Sequence, residues 1–297
     1  MTSRTSRVVA VAFGLVACVF LLRLDLGASA EPVRMFVSVA DSKFKPVAGL
    51  VAADFRVFVD DVAQEVISAA PATDPVSVIV LTDRLGLESA YTPFDVARAL
   101  RNFVKTLTTA APGSQFALTT FDGPVVRVAP FGLPPAEFDK IISRLATIAK
   151  DSAIRDAMLD VCAMARKTPT PRRAIFTVFA GYRPDMSTTR TELVGQALEV
   201  CDASWWAIEA RTIGENSFGN NDREMVVDRG TALSGGAREI VASAIGVDAM
   251  AKRMAELIGG QYAVTYASTG NSRSNSLRRV LVNRKDAKVF APAWIAR

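Results

Sequence analysis

The chain has 297 residues, half of them hydrophobic, so it can bury a core large enough for one ordinary α/β domain and a smaller unit. It contains no histidine, which excludes Ser-His-Asp and Cys-His hydrolases and zinc peptidases with histidine ligands. The net charge of +5 is spread along the chain without a basic, aromatic-interleaved run, so nucleic acid is not an expected partner.

The first thirty residues have the pattern of a secretory signal peptide. Arg4 and Arg7 precede an uninterrupted apolar run over 8–22, and small residues lead to a cleavage point after Ala30. The run is shorter than the roughly 20 residues that a membrane-spanning helix needs. We therefore expect a secreted or periplasmic mature protein without a stable membrane span. Two alternatives stay open, a retained anchor through 8–22 and lipidation at Cys18.

Apolar patterns predict strands at both ends of the chain and alternating strands and helices between them. The N-terminal strands are predicted over 35–39 and 55–59, and those near the C-terminus over 261–266, 277–282 and 289–294. The central elements are a strand ending at Asp83, helix 93–107, strand 115–121, helices 135–146 and 152–166, strand 173–180, helix 191–201, strand 204–210 and a last helix over 245–258. Residues 215–222 are predicted to form an exposed loop.

This order predicts a doubly wound, Rossmann-like, mostly parallel sheet. The terminal strands are expected to pair in a small β domain. The predicted units are a signal peptide over 1–30, an N-terminal β segment over 31–72, an α/β domain over 73–260 and a C-terminal β segment over 261–297. Because neighbouring strand residues face opposite sides, Trp205 and Trp206 are expected to pack under different helix layers.

Removal of the signal peptide would take away three of the 35 basic and one of the 30 acidic residues, leaving a net charge of about +3. It would also remove Cys18, so that Cys162 and Cys201 remain in an oxidising compartment. Two interpretations of this pair stay open. The cysteines form a disulfide, or they are two buried helical thiols that pack as small apolar side chains.

The ordered set of segments resembles the secreted bacterial proteins that carry a von Willebrand factor A-related domain. Segments 41–58, 116–121, 172–181 and 261–266 carry the resemblance, which covers most of the mature chain. Such domains hold a divalent cation, the metal-ion-dependent adhesion site, on three loops at the carboxyl edge of the sheet. The first loop supplies Asp-x-Ser-x-Ser, the second a Thr and the third an Asp, and a partner protein's carboxylate completes the shell.

The cation motif is incomplete in this chain. Asp83 matches the first Asp, but Leu85 and Leu87 stand at the two Ser positions. Ser152 falls on the Thr and keeps a hydroxyl, whereas Ala180 replaces the third-loop Asp. Because leucine cannot ligate a hard cation, the resemblance implies a degenerate site, with Asp83 and Ser152 as remnants and no cofactor.

Two other uses of these loops stay open. Arg84 could take the place of the cation through a salt bridge to Asp83. A remodelled, oxygen-rich site could instead bind Mg²⁺ through some of the oxygen-bearing side chains of the region, namely Asp83, Asp151, Ser152, Asp156 and Asp185.

The function expected from these patterns is a non-catalytic, exported module that binds or scaffolds another protein. Loops 84–92, 150–156 and 181–190 are the expected binding surface, since loops on a rigid sheet usually carry recognition. The best candidates for partner contact are aromatic residues and arginines of these loops, namely Arg84, Tyr91, Tyr182 and Arg183. The alternative is a divalent-metal-dependent adhesion module with a remodelled ion site.

Overall fold

The computed structural model describes residues 31–83, 93–145, 152–181, 184–211, 221–268 and 276–295, so the predicted signal peptide lies outside the described residues. The strands are β1 (Glu31–Ala40), β2 (Phe55–Val59), β3 (Val62–Gln64), β4 (Val66–Pro71), β5 (Val76–Thr82), β6 (Gln115–Thr120), β7 (Val126–Ala129), β8 (Arg172–Ala180), β9 (Ser204–Ala210), β10 (Arg238–Val241), β11 (Tyr262–Ser268), β12 (Arg278–Val282) and β13 (Lys288–Phe290). The helices are α1 (Pro93–Ala110), α2 (Pro135–Ser143), α3 (Ile154–Ala165), α4 (Thr191–Cys201), α5 (Asn221–Ser234) and α6 (Ala244–Gly259).

A central six-stranded sheet has the order β10-β9-β8-β5-β6-β7, with every neighbouring pair parallel except β6 and β7. β5 is buried along its whole length because both faces of the sheet are covered by helices. Val78 and Val80 pack in one core with α1, α2 and α6, whereas Ile79 and Leu81 pack in a second core with α3, α4 and α5. This confirms the doubly wound, mostly parallel sheet.

The two adjacent tryptophans of β9 face opposite sides, as predicted from strand geometry. Trp205 lies in the core under α3, α4 and α5, and Trp206 lies in the core under α1, α2 and α6. Both side chains are fully buried. These two residues therefore support the sheet and do not belong to a surface.

Terminal strands form the smaller β unit that the sequence predicted. β1 pairs antiparallel with β11, from Glu31 opposite Ser268 to Val37 opposite Tyr262, and β12 pairs antiparallel with β2. The sheets β13-β1-β11-β4 and β12-β2-β3 enclose a third apolar core. The N-terminal and C-terminal segments of the described chain are thus held together beside the central domain.

Several predicted elements need correction. Helix α5 and strand β10 were missed, and the predicted loop over 215–222 overlaps α5, which begins at Asn221. The buried side of α5 contains Arg223, Gly230 and Thr231, so it lacks the apolar periodicity that marks an amphipathic helix.

Among the described helices, none is both long and apolar enough to cross a bilayer.

Other element boundaries also differ from the predictions. The helix predicted over 152–166 begins only at Ile154, because Ser152 lies in an extended bridge to another segment. The predicted connection after 55–59 contains β3 and β4, and β4 pairs with β11. In both cases the element boundaries depend on pairing between segments that are far apart in the chain, which local residue patterns do not indicate.

Candidate functional site

Asp83 follows β5 directly, at the carboxyl edge of the central sheet, and its side chain is fully buried. Its Oδ2 accepts a hydrogen bond from the backbone N–H of Ala180, the last residue of β8, at 2.8 Å. Since β5 and β8 are neighbours, this bond joins the ends of the two strands. The position where related domains supply a third-loop carboxylate here supplies a backbone donor, which binds the first-loop carboxylate.

Ser152 lies in an extended segment that joins two parts of this edge. It forms a parallel bridge with Asp185, and its carbonyl accepts the N–H of Met186 at 2.7 Å. The N–H of the next residue, Ala153, donates to the carbonyl of Phe121 after β6 at 2.9 Å. The Oγ of Ser152 is buried and has no hydrogen-bond partner among the described residues.

Arg155 connects the second loop with the segment that leads into α4. Its Nε donates to Oδ2 of Asp185 at 2.8 Å, its Nη1 to the carbonyl of Thr189 at 2.7 Å and its Nη2 to the carbonyl of Ser187 at 3.0 Å. The other carboxylate oxygen of Asp185 accepts the hydroxyl of Ser187 at 2.5 Å. Side chains of Arg155 and Asp185 are only 11% and 3% exposed, so this ion pair is shielded from water.

Asp156 makes a second set of bonds to the same segment. Its Oδ1 accepts the backbone N–H of Thr189 at 2.8 Å, and its Oδ2 accepts that of Thr188 at 3.2 Å. Partial burial by itself would raise the pKa of Asp156. The hydrogen bonds from Thr189 and Thr188 lower the pKa by more than burial raises it, so the net shift is downward. The carboxylate is therefore held in its charged form within the chain.

At the third loop, Gly181 follows β8 and lies against the next strand. Its N–H donates to the carbonyl of Ala210 at 2.9 Å, and its own carbonyl accepts Nη2 of Arg223. Arg223 is fully buried, and its guanidinium lies 5.5 Å from the ring centre of Phe179. A Cβ at Gly181 would collide with the carboxylate of Glu209, so a larger residue here would have to displace that side chain.

Glu209, near the end of β9, is the centre of a buried ionic network. Its carboxylate binds both Arg211 and Arg238, and Arg238 also binds Glu224 and Asp228. The side chains of Glu209 and Arg238 are 0% and 7% exposed. Burial alone would raise the pKa of Glu224, but its bond to Arg238 and the surrounding arginines lower it more. The network joins α5 to β9 and β10 beside the third loop.

Comparison with solved structures identifies the type of fold. Proximal thread matrix protein 1 from the mussel byssus, solved with zinc in its metal-ion-dependent adhesion site, matches with 13% identity and a TM-score of 0.52, over 67% of this chain and 50% of that chain. A von Willebrand factor type A protein from Catenulispora acidiphila matches with 10% identity and a TM-score of 0.48, over 91% and 75% of the two chains. The PilB minor pilin from Streptococcus sanguinis matches with 9% identity and a TM-score of 0.48, over 64% and 62%.

The fold is von Willebrand factor A-like. No protein-family model matches the sequence, and no curated protein matches it. The chain spans half the length of the mussel protein and 62% of the pilin. At such low identity the likeness concerns the fold, and the properties of this edge must be argued from its own residues.

The described residues contain only part of the cation site expected of von Willebrand factor A-like domains. The buried Oγ of Ser152 would suit a ligand, but Oδ2 of Asp83 already accepts the N–H of Ala180. Asp156 and Asp185, two members of the remodelled set considered above, are bonded to Thr189 and Arg155. Over the residues that the structure describes, no three acidic or cysteine side chains converge as metal ligands would. Asp151 lies outside the described residues.

The residues predicted for partner contact, Arg84, Tyr91, Tyr182 and Arg183, also lie outside the described residues and stay predictions. The two remnant positions are brought to the same edge, Asp83 at the end of β5 and Ser152 beside the end of β6.

Sequence reasoning missed Arg155, Arg223 and Glu209. One signal was available for the arginines, because both lie in the first turn of a helix, where the macrodipole disfavours a cation. An arginine in that place indicates nearby acceptors, which the structure identifies as Asp185 and the carbonyl of Gly181.

Proposed function

We propose that this chain is a non-catalytic, exported protein-binding module. Contacts within its von Willebrand factor A-like domain stabilise the carboxyl edge of the central sheet without a divalent cation. In domains with the complete motif, the cation joins three loops and a partner's carboxylate. Here hydrogen bonds and ion pairs within the chain connect the corresponding segments, and the cation becomes unnecessary for their arrangement.

The bond between Asp83 and the N–H of Ala180 carries this proposal. It occupies an acceptor position of the first-loop carboxylate, and its donor is the residue that stands where the resemblance expects the third-loop Asp. The Arg155 ion pair with Asp185 connects the second segment with the third in a similar way. Each contact replaces a metal–ligand bond by a charge-assisted hydrogen bond.

A protein is the ligand best suited to such an edge. The strand ends that precede loops 84–92 and 181–190 meet at this edge with Ser152 of loop 150–156, and loops that start from a rigid sheet usually carry recognition. Arg84, Tyr91, Tyr182 and Arg183 are the proposed contacts, because aromatic residues and arginine contribute most to interfaces. Absence of histidine from the chain supports a role without catalysis.

The first test titrates Mg²⁺, Mn²⁺ and Ca²⁺ calorimetrically into the purified protein and into an Asp83→Ala variant. We expect no saturable heat up to millimolar ion in either protein. Saturable binding to the wild-type chain that disappears in the variant would contradict a cation-free edge. It would favour the alternative function, a metal-dependent adhesion module with a remodelled ion site.

The second test cross-links the protein to its neighbours in the intact cell envelope, with and without a chelator. We expect the same cross-linked partners in both conditions, and their loss in a Tyr182→Ala, Arg183→Ala double variant. An Arg284→Ala variant is the matched control, because this arginine is half exposed in the small β unit, away from the proposed loops. Retention of all partners by the double variant would contradict binding through these loops.

A further inference from the structure

Two cysteines meet between helices α3 and α4, on the face of the central sheet that also carries α5. Cys162 belongs to α3, Cys201 is the last residue of α4, and the two are 39 positions apart in the chain. Their Sγ atoms lie 3.1 Å apart, and both side chains are buried, with 2% and 0% exposure. This separation is shorter than the ordinary contact distance of two unbonded sulfur atoms. A disulfide would require the two sulfur atoms to approach further, to a bond length of about 2.0 Å.

We propose that Cys162 and Cys201 form a disulfide that joins α3 to α4. No other cysteine would compete for this pairing in a mature chain. The sequence contains three cysteines, and the third, Cys18, lies in the predicted signal peptide. The inference rests on the export that is part of the proposed function, but it does not depend on what the carboxyl edge binds.

The bond forms by thiol–disulfide exchange. Each thiol loses its proton, one S–S bond forms between the two Sγ atoms, and the two electrons reduce an external disulfide to two thiols. The oxidant is a small-molecule disulfide such as oxidised glutathione, or the disulfide of a thiol oxidoreductase. Exported proteins meet such oxidants as they fold.

The burial of the pair decides when the reaction takes place. The hydrogen bond from Cys201 and the burial of the side chain raise the pKa of the Cys162 thiol, so the reactive thiolate is scarce in the folded protein. Oxidation therefore belongs to folding, before α3 and α4 close over the sulfur atoms. Once formed, the bond is hidden from reductants for the same reason.

The disulfide would complete a clamp on the helix pair that carries two segments of the candidate site. At their N-terminal ends, Arg155 and Asp156 of α3 bind the segment that leads into α4, including the N–H of Thr189. At their C-terminal halves, Cys162 and Cys201 meet. A covalent bond there would prevent the two helices from separating and so would preserve the geometry of both segments.

Refolding followed by alkylation tests the bond directly. The protein is denatured and reduced, refolded with oxidised and reduced glutathione, then denatured again in the presence of N-ethylmaleimide without reductant. We expect Cys162 and Cys201 to stay unlabelled, and a peptide that joins them to appear in mass spectrometry. Full labelling of both residues, or a glutathione adduct on each, would overturn the proposal.

Thermal unfolding of the oxidised and reduced forms gives an independent measurement. Closing a loop of this length predicts that the oxidised form melts higher by on the order of 10 °C. A Cys201→Ala variant, which cannot form the bond, should melt at the same temperature in both redox conditions. An equal or lower melting temperature for the oxidised wild-type protein would contradict a bond that fits the native packing.

Discussion

The two edges of the central sheet hold buried charges in different ways. At the amino edge, Arg172 begins β8 and is fully buried. Its guanidinium donates to neutral carbonyls, at 2.6 Å to both Asp74 and Ile258 and at 3.1 Å to Gly259. At the carboxyl edge, the buried carboxylate of Glu209 is paired with arginines.

The difference indicates separate roles for the two edges. The bonds of Arg172 connect β8 with the segment after β4 and with the end of α6, so they fasten the central domain to the β unit. Burial lowers the pKa of Arg172 to about 10, which leaves it charged at neutral pH. The carboxyl edge instead combines the ionic network of Glu209 with the ion pair of Arg155 and Asp185 and the bond between Asp83 and Ala180, so that strands, helices and loops are joined by several contacts.

The largest expected effect is at the amino edge. Arg172→Met should lower the free energy of unfolding by about 3–5 kcal/mol, because several buried carbonyls lose their donors at once. Urea denaturation measures the change. The matched control is Arg173→Met, whose side chain bonds only to Thr168 and should cost less than about 1 kcal/mol. Equal losses in the two variants would show that the buried hydrogen bonds of Arg172 do not account for the effect.

Glu209→Gln should have the next largest effect, a loss of about 2–4 kcal/mol, because Arg238 and Arg211 would face a neutral group at a buried position. Asp228→Asn provides the control, since Asp228 binds the same Arg238 but is 63% exposed. We expect the control to cost less than about 1 kcal/mol. A comparable cost would mean that burial of Glu209 is not what matters.

Arg155→Ala should lower the free energy of unfolding by about 2 kcal/mol, because Asp185 loses its ion-pair partner and the carbonyls of Ser187 and Thr189 lose this donor. Hydrogen exchange adds a local measurement, with faster exchange of the Thr189 N–H expected. Arg98→Ala removes an exposed ion pair on α1 and should change neither quantity measurably. Unchanged exchange at Thr189 in Arg155→Ala would show that Asp156 holds the segment alone.

The smallest expected effect is the pH dependence of stability. Asp156 and Glu224 have pKa values below those of the unfolded chain, so protonation favours unfolding. Their contribution is complete above the unfolded pKa of about 4 and is lost as the pH falls through the folded values. An Asp156→Asn variant should lose less stability between about pH 6 and about pH 3 than the wild-type protein, as measured by urea denaturation. Asp139→Asn, an exposed carboxylate on α2, should leave the slope unchanged.

The sequence by itself determined the parallel sheet, its alternating helices and the place of Asp83 at its carboxyl edge. The apolar run Val76–Thr82 can be buried on both faces only in such a sheet, and the opposite packing of Trp205 and Trp206 follows from strand geometry. These features depend on local periodicity, which one sequence contains. The sequence also predicts an incomplete cation motif, from Leu85, Leu87 and Ala180 at expected ligand positions.

Tertiary structure alone decided which groups bind Asp83 and Asp185 at the carboxyl edge. The bond from Ala180 to Asp83 and the pair of Arg155 with Asp185 join residues 97 and 30 positions apart. The polar helix α5 is stabilised by its buried contacts, not by an apolar stripe. Cys162 and Cys201 approach only because α3 and α4 pack side by side. Such pairings arise from the packing of distant segments, and no local pattern of residue types specifies them.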